Sequence, residues 1–279
     1  MIHYLQEGAV MAALTLATWN INSVRLRIEQ VARFADTAKP DVICLQEIKC
    51  MEDQFPAKAF KDMGYPYFHV SGQKGMHGVA TVSRTPLDVL EDCEVCPKGE
   101  ARHHVVRVDG VEIQNYYIPA GGDEPDIAIN PRFAHKLDFL DRFGAYLEKR
   151  GQKGGDVVLV GDLNIAPREH DVWSHKQLLK VISHTPVETE GLEAARTGAG
   201  YLDVARELIA EPEKIYTWWS YRNRDWRKSN RGRRLDHIWV SPALAAAATA
   251  HGREGFTIWD ETRDWEKPSD HVPVTLKLG

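Results

Sequence analysis

Apolar residues along this chain gather into short runs that end abruptly in polar ones. Leu14 to Thr18, Val42 to Leu45 and Val157 to Val160 are nearly unbroken apolar stretches, the pattern of strands covered on both faces. They stop at Trp19-Asn20-Ile21-Asn22, Leu45-Gln46-Glu47 and Gly161-Asp162-Leu163-Asn164. Two later segments, Leu235-Asp236-His237 and Ser269-Asp270-His271, adjoin apolar runs from Leu235 to Val240 and Val272 to Leu276. Strands this apolar belong in a core. If they lie side by side, the polar residues at their ends converge on one sheet edge as a site of several carboxylates and a histidine.

The rest of the pattern mixes helices with strands throughout. A helix is expected over 23–37, with Ser23 as its cap and Val24, Ile28, Val31 and Phe34 at helical spacing, before Pro40 ends the element. A strand over 41–47, a short helix near 53–62 and strands over 67–70, 78–83 and 87–91 follow. Asp109-Gly110 joins 104–108 to 111–117 as a two-residue hairpin. The clearest helix starts with Asn130 as cap and Pro131 in the first turn, carries Phe133, Leu137, Leu140, Phe143 and Leu147 as a stripe, and exits at Gly151. After a strand over 157–163, residues 164–200 read as a long irregular region, of the kind that is often functional in compact domains. Strands over 235–240, 255–259 and 272–278 and an alanine-rich helix over 242–250 complete an α/β chain. Residues 1–13 read as a polar extension, with Met11 a candidate natural start, ahead of a single domain over 14–279.

Composition narrows the setting. With 279 residues, 43% of them hydrophobic, the chain can bury a large core. No apolar stretch reaches membrane-span length and no secretory signal opens the sequence, so a soluble, cytoplasmic protein is expected. Cys44 lies within an apolar strand and reads as a small buried hydrophobe. Cys93 and Cys96 have C-x-x-C spacing, but no second pair completes a zinc ribbon, and Pro97-Lys98-Gly99 follows where a thioredoxin-type motif would open a helix.

The net charge of −5 does not advertise nucleic-acid binding, but the distribution does. Arg222, Arg224, Arg227, Lys228 and Arg231 crowd a segment that runs on to Arg234 and directly follows Thr217-Trp218-Trp219-Ser220-Tyr221. Basic side chains beside flat rings suit phosphate contacts combined with base or sugar stacking.

The strand-end residues suit metal-assisted hydrolysis of a phosphate ester. A hard divalent cation needs one or two carboxylates plus the substrate's phosphate, and Glu47, Asp162, Asp236 and Asp270 offer them. Asn20 or Asn164 adds a neutral ligand or fixes the attacking water, and His271 can donate to a phosphate oxygen. No Walker loop, dinucleotide fingerprint or nucleophile elbow is present.

Taken in order, Thr18-Trp19-Asn20-Ile21-Asn22, Leu45-Gln46-Glu47-Ile48-Lys49, Gly78-Val79-Ala80, Asn115-Tyr116-Tyr117-Ile118-Pro119, Gly161-Asp162-Leu163-Asn164-Ile165, Arg234-Leu235-Asp236 and Glu266-Lys267-Pro268-Ser269-Asp270-His271 resemble the exonuclease III family of apurinic/apyrimidinic endonucleases, within the endonuclease/exonuclease/phosphatase superfamily. The resemblance runs from about Leu14 to Leu278. It implies a four-layer α/β sandwich of two packed β-sheets flanked by helices. It further implies magnesium- or manganese-dependent hydrolysis on the 5′ side of abasic sites in duplex DNA, with 3′→5′ exonuclease and 3′-end-trimming activity. The implied protein is a monomer of the bacterial cytosol and nucleoid, acting on duplex DNA with abasic sites or blocked 3′ ends and needing no membrane.

Residue by residue, the resemblance makes Glu47 the principal metal ligand, with Asp270 near the metal and Asn22 at a supporting or alternative metal position. Asp162 matches the acid that activates or positions the water, helped by Asn164, while Asn20 orients the network. Tyr117 matches a phenol near the scissile phosphate, and Asp236 with His271 a carboxylate–imidazole pair. Trp218 and Leu235 match walls of a pocket for the extruded sugar. The chain departs from the pattern at Arg233, where animal relatives have tryptophan, at Ser23 and at Pro119 to Glu124. Two other function classes are compatible with the residues alone: the same chemistry on an inositol phosphate, sphingolipid or RNA, and a non-catalytic DNA-binding module.

Overall fold

The computed structural model describes residues 13–90, 95–223 and 225–279. In chain order the elements are β1 (Leu14–Asn20), α1 (Ile28–Ala38), β2 (Val42–Gln46), α2 (Ala57–Asp62), β3 (Tyr67–Ser71), β4 (Val79–Ser83), β5 (Leu87–Val89), β6 (His103–Val108), β7 (Val111–Tyr117), α3 (Pro131–Gln152) and β8 (Val157–Asp162). They continue as α4 (His175–Leu178), α5 (Pro186–Gly198), β9 (Leu202–Asp203), α6 (Val204–Leu208), β10 (Trp218–Trp219), α7 (Trp226–Ser229), β11 (Gly232–Arg233), β12 (Asp236–Val240), α8 (Ala245–Thr249), β13 (Phe256–Ile258) and β14 (Val274–Leu278).

The longer strands form two six-stranded sheets, ordered β13-β14-β1-β2-β4-β3 and β5-β6-β7-β8-β12-β9. Side-chain alternation explains how they stack. Leu14, Leu16, Val42 and Cys44 of the first sheet meet Val106, Ile113, Val158, Val160 and Ile238 of the second in a core between the sheets. Their alternate neighbours Ala17, Trp19, Ile43 and Leu45 face outward onto Phe34 of α1 and Phe60 of α2. On the far side Tyr116, Leu159 and Trp239 pack against Phe139, Phe143 and Leu147 of α3 and Leu192 of α5. Strands covered on both faces need apolar residues at both parities, which is why the runs are continuous. The result is the four-layer sandwich that the resemblance implied.

Each sheet contains one parallel pair, β1 with β2 and β7 with β8. Both pairs run toward the same edge, where Asn20 lies opposite Gln46 and Tyr117 opposite Asp162. Beyond these ends the backbone turns through left-handed conformations at Asn22, Glu47 and Asn164, with φ of 46°, 49° and 53°. Non-glycine residues rarely adopt such φ values, and they do so here where the chain must bend sharply at the strand tips.

Several local expectations need correction. The first helix begins at Ile28, not at Ser23, because the Ser23 and Val24 amides are tied to the carbonyls of Glu47 and Ile48 and Ser23 has φ 86°. The segment near 53–62 is a 3-10 turn, Glu52–Gln54, followed after Pro56 by α2. Leu137 is only partly covered, and Phe139 takes its place in the α3 stripe. The region over 164–200 is not irregular, since it holds α4 and the 13-residue α5. The Asp109-Gly110 hairpin is as expected, with φ of 48° and 84°. Cys44 is buried, whereas Cys93 and the residues before 13 lie outside the described ones. Among the described residues no helix is long and apolar enough to cross a membrane.

Candidate active site

The strand tips of the two sheets meet through side chains. Asn20, at the end of β1, donates one amide hydrogen to Glu47 Oε1 and the other to Asp162 Oδ2, both at 2.9 Å. Tyr117, at the end of β7, returns the link by donating its hydroxyl to Glu47 Oε1 at 2.8 Å. Asp162 is gripped from its own loop as well. Asn164 donates its backbone N–H to Oδ1 at 2.9 Å and its side-chain amide to Oδ2 at 3.0 Å. Gly161 makes this turn possible, because at φ 142° a Cβ there would lie 1.9 Å from the Tyr116 carbonyl oxygen.

The histidine arrives from the segment before β14. Ser269 donates its hydroxyl to the Asn20 carbonyl, and Trp19 donates its indole N–H to the His271 carbonyl, so the loop is pinned to the end of β1. His271 Nδ1 then pairs with Asp236 Oδ2 at 2.8 Å, leaving Nε2 at 3.6 Å from Asp162 Oδ2. Thr217 donates its hydroxyl to the same Asp236 oxygen, and receives the Leu235 and Asp236 amides in exchange. One ligand atom from each of Asp162, Asp236 and His271 lies within 4.8 Å of the others.

Charge is distributed unevenly over this cluster. Burial pushes the Asp162 carboxyl up, with Asp236 and Glu47 adding to it and His271 opposing, to about 7. Burial disfavours a charged His271, but Asp236 and Asp162 outweigh it and raise that pKa to about 10. Burial likewise opposes charge on Glu47, yet the Lys49 ammonium and the Asn20 amide hold its carboxyl below the usual range. Tyr117 is pushed well above the usual phenol value by burial and by Glu47 and Asp162, so it stays a proton donor.

Asn22 and Asp270 form the outer part of the site. Asn22 donates to Asp270 Oδ1 at 3.0 Å, and the Trp218 indole donates to Asp270 Oδ2 at 2.9 Å. The donors suit a hard divalent cation. A positive group already sits among these oxygens, since Lys49 Nζ lies 2.9 Å from Glu47 Oε2 and 2.5 Å from Asn22 Oδ1.

Trp218 and Leu235 share a small apolar cluster with Val172 and Leu178 beside the site. The basic segment is less uniform than its sequence. Arg222, Lys228 and Arg231 are exposed, with Arg231 lying 4.7 Å over the Trp173 ring. Arg227 is engaged by Asp264 at 2.6 Å and Asp260 at 3.5 Å. Arg234 is fully buried between Asp171 and Asp203 and binds no solvent-side anion. Arg224 lies outside the described residues. Sequence reasoning missed three supports: Lys49, although it stands two residues after Glu47; Thr217, which orients Asp236; and Tyr221, whose hydroxyl accepts from Arg27 and donates to the Pro268 carbonyl.

Known proteins share the sequence pattern and the fold. A family model, "Endonuclease/Exonuclease/phosphatase family", matches residues 17–271. Exodeoxyribonuclease III of Haemophilus influenzae is 31% identical over 92% of this chain and 97% of its own length. Among solved structures, a 3′ phosphatase, NExo from Neisseria, bound to a product DNA hairpin superposes with TM-score 0.84 at 32% identity, covering 95% of this chain and 99% of that one. An AP endonuclease from Archaeoglobus fulgidus also gives 0.84, at 31% identity and 94% and 98% coverage. A family match across nearly the whole chain, on a sandwich whose strand tips carry this acid, amide and imidazole set, places the protein in the endonuclease/exonuclease/phosphatase family.

Proposed function

We propose that this protein is a DNA-repair nuclease that hydrolyses, with magnesium or manganese, the phosphodiester 5′ to abasic sites in duplex DNA and trims blocked 3′ ends. The observation that carries the reading is the bridge from Asn20 to both Glu47 and Asp162, which joins a metal-type carboxylate to a base-type carboxylate across the two sheets. Relatives named for exodeoxyribonuclease III, AP endonuclease and 3′ phosphatase activity support the substrate class.

Glu47 with Asp270 and Asn22 would hold the metal, which when bound supplies Lewis-acid stabilisation of charge on the phosphate. Asp162, its carboxyl raised to about 7, sits where it can take a proton from an attacking water near neutral pH. Asn164 and Asn20 fix the direction of that carboxylate by bonding both of its oxygens. His271, oriented and kept protonated by Asp236, offers its Nε2 hydrogen to a phosphate oxygen. Tyr117 offers a neutral hydroxyl to the same region. Exposed Arg222, Lys228 and Arg231 supply phosphate contacts along the duplex, and Trp218 with Leu235 lines the flank where a sugar is taken up.

The test is incision of a duplex carrying one tetrahydrofuran abasic analogue, with magnesium and with chelator. Metal-dependent cleavage leaving a 3′-hydroxyl is expected. Intact DNA in both arms would reject the reading.

A further inference from the structure

Cys96 lies buried beside a histidine and an acid that the proposed hydrolysis does not use. It sits in the segment between β5 and β6, and its side chain joins the apolar core under α3 with Phe139 and Leu140. His135, on the buried stripe of α3 one turn before Phe139, brings Nε2 to 3.6 Å from the Cys96 sulfur. Glu100 completes the group, since one ligand atom from each of the three lies within 4.8 Å of the others. Sequence spacing alone argued against a metal at Cys96, because no second cysteine pair follows. The fold supplies an imidazole and a carboxylate instead. Cys93 lies outside the described residues and is not counted among the ligands.

The spacing fits a shared metal. Two ligands of one tetrahedral zinc, with bonds of about 2.3 Å to sulfur and about 2.0 Å to nitrogen, lie roughly 3.5 Å apart. An S–H···N hydrogen bond gives the same separation, so only the offer of a metal tells the two apart. Glu100 is held by Arg102, whose Nε donates to Oε2 at 2.6 Å, but a carboxylate has two oxygens and can keep that bond while serving a metal. Burial and the nearby charges of Lys98 and Arg102 push the His135 pKa down against Glu100 and Asp138, which keeps the ring in its ligating, neutral form. Sulfur, imidazole and carboxylate together favour zinc over magnesium, unlike the all-oxygen donors of Glu47, Asp270 and Asn22. Thiolate and carboxylate would also cancel the charge of a divalent ion.

We propose that Cys96, His135 and Glu100 form a zinc site, separate from the strand-tip site, that clips the segment before β6 to α3. Three protein ligands leave the fourth position of the ion to water. On binding, the Cys96 thiol gives its proton to solvent and its sulfur bonds the metal, with no electron transferred. The clip has a neighbour in the strand-tip site. Arg102, at the end of the clipped segment, lies 4.9 Å over the Tyr117 ring, and Tyr117 in turn donates to Glu47. A metal here would therefore fasten the backing of that phenol.

The test uses the whole protein, reduced and stripped of metal, with cobalt(II) as a coloured stand-in for zinc in excess magnesium. An equimolar amount of cobalt should give the near-ultraviolet charge-transfer absorption of a cobalt–thiolate bond, which oxygen and nitrogen ligands do not produce, and added zinc should displace it. Cys96→Ser should lose the band. His135→Gln and Glu100→Gln should each weaken cobalt binding by about 10-fold or more, since even the outer partners of a metal site are worth about 10- to 100-fold. Zinc should also raise the thermal midpoint of the wild-type protein more than that of Cys96→Ser. Absence of the band in the wild type would leave Cys96 and His135 as a hydrogen-bonded pair and overturn the proposal. Its survival in Cys96→Ser would place the thiolate elsewhere and do the same, as would undiminished binding by both other variants. None of these readouts needs DNA, so they stand apart from the outcome of the incision assay.

Discussion

Asp162 takes hydrogen bonds from three donors, the Asn164 backbone, the Asn164 amide and the Asn20 amide, while His271 stands 3.6 Å away. Its carboxylate is thus aimed before any substrate arrives. Replacing it by asparagine keeps the shape and removes the basic oxygen. Asp162→Asn is expected to lower kcat by roughly 10²–10⁴, the usual contribution of a positioned base, with duplex affinity changed little because binding rests on phosphate contacts. Single-turnover cleavage beside a binding titration checks both halves, and near-normal turnover would show the role to be misassigned. At this scale much of the site was legible in the sequence, since Asn20, Glu47, Asp162, Asp236 and His271 all interrupt or end apolar runs. Thr217 was not, because a threonine beside two tryptophans gives no hint that its hydroxyl will meet Asp236 from 19 residues away. Nor was the fate of Arg234, since a buried arginine and an exposed one look alike in a basic run until Asp171 and Asp203 are placed around it.

The turn from β8 into the site depends on Gly161. Any side chain there meets the Tyr116 carbonyl, on the parallel neighbour strand that also delivers Tyr117. Gly161→Ala is expected to cost about 3 kcal/mol of stability, from steric overlap at a special backbone position, and to misplace Asp162. A urea midpoint equal to that of the wild type would contradict this. Strands of this kind declare themselves through their apolar runs, but α5 did not. Its buried contribution is thin, with Leu192 and Ala195 its only buried apolar residues. The informative signal was at its start, where Thr185, Pro186 and Glu188 make a capping box that fixes the first turn. That same Glu188 continues inward to Lys136, which donates to the Asn164 carbonyl at 2.8 Å, so the helix also braces the Asn164 loop from behind.

Across the whole molecule, acid sensitivity follows from histidines buried in neutral form. Burial, with the charge of Arg234 adding to it, depresses His237 to about 4, and burial holds His104 well below its ordinary value. A folded-state pKa below the unfolded one means that the unfolded chain binds the proton more readily. Stability is therefore fully present above about pH 6.5 and is lost as the pH falls toward 4, by about 3 kcal/mol for His237 alone. Denaturant unfolding at a series of pH values should show this loss, and His237→Gln should flatten it. An unchanged slope would place the acid sensitivity elsewhere. The four-layer architecture itself came from resemblance rather than from the apolar pattern. Periodicity reports which residues are covered, not which strand lies beside which.

The strand order has a further effect on when the protein can act. The first sheet is completed by β14 pairing with β1, Leu278 against Leu14, while the entire second sheet is drawn from the chain between them. Asp270 and His271 arrive with that closing strand. A ribosome-bound chain, or a proteolytic remnant, that stops short of residue 269 would contain Glu47, Asp162 and Asp236 but no imidazole, and its first sheet would lack β14. Such partial products are expected to be inactive on DNA, because the histidine that pairs with Asp236 reaches the site only with the strand that closes the first sheet.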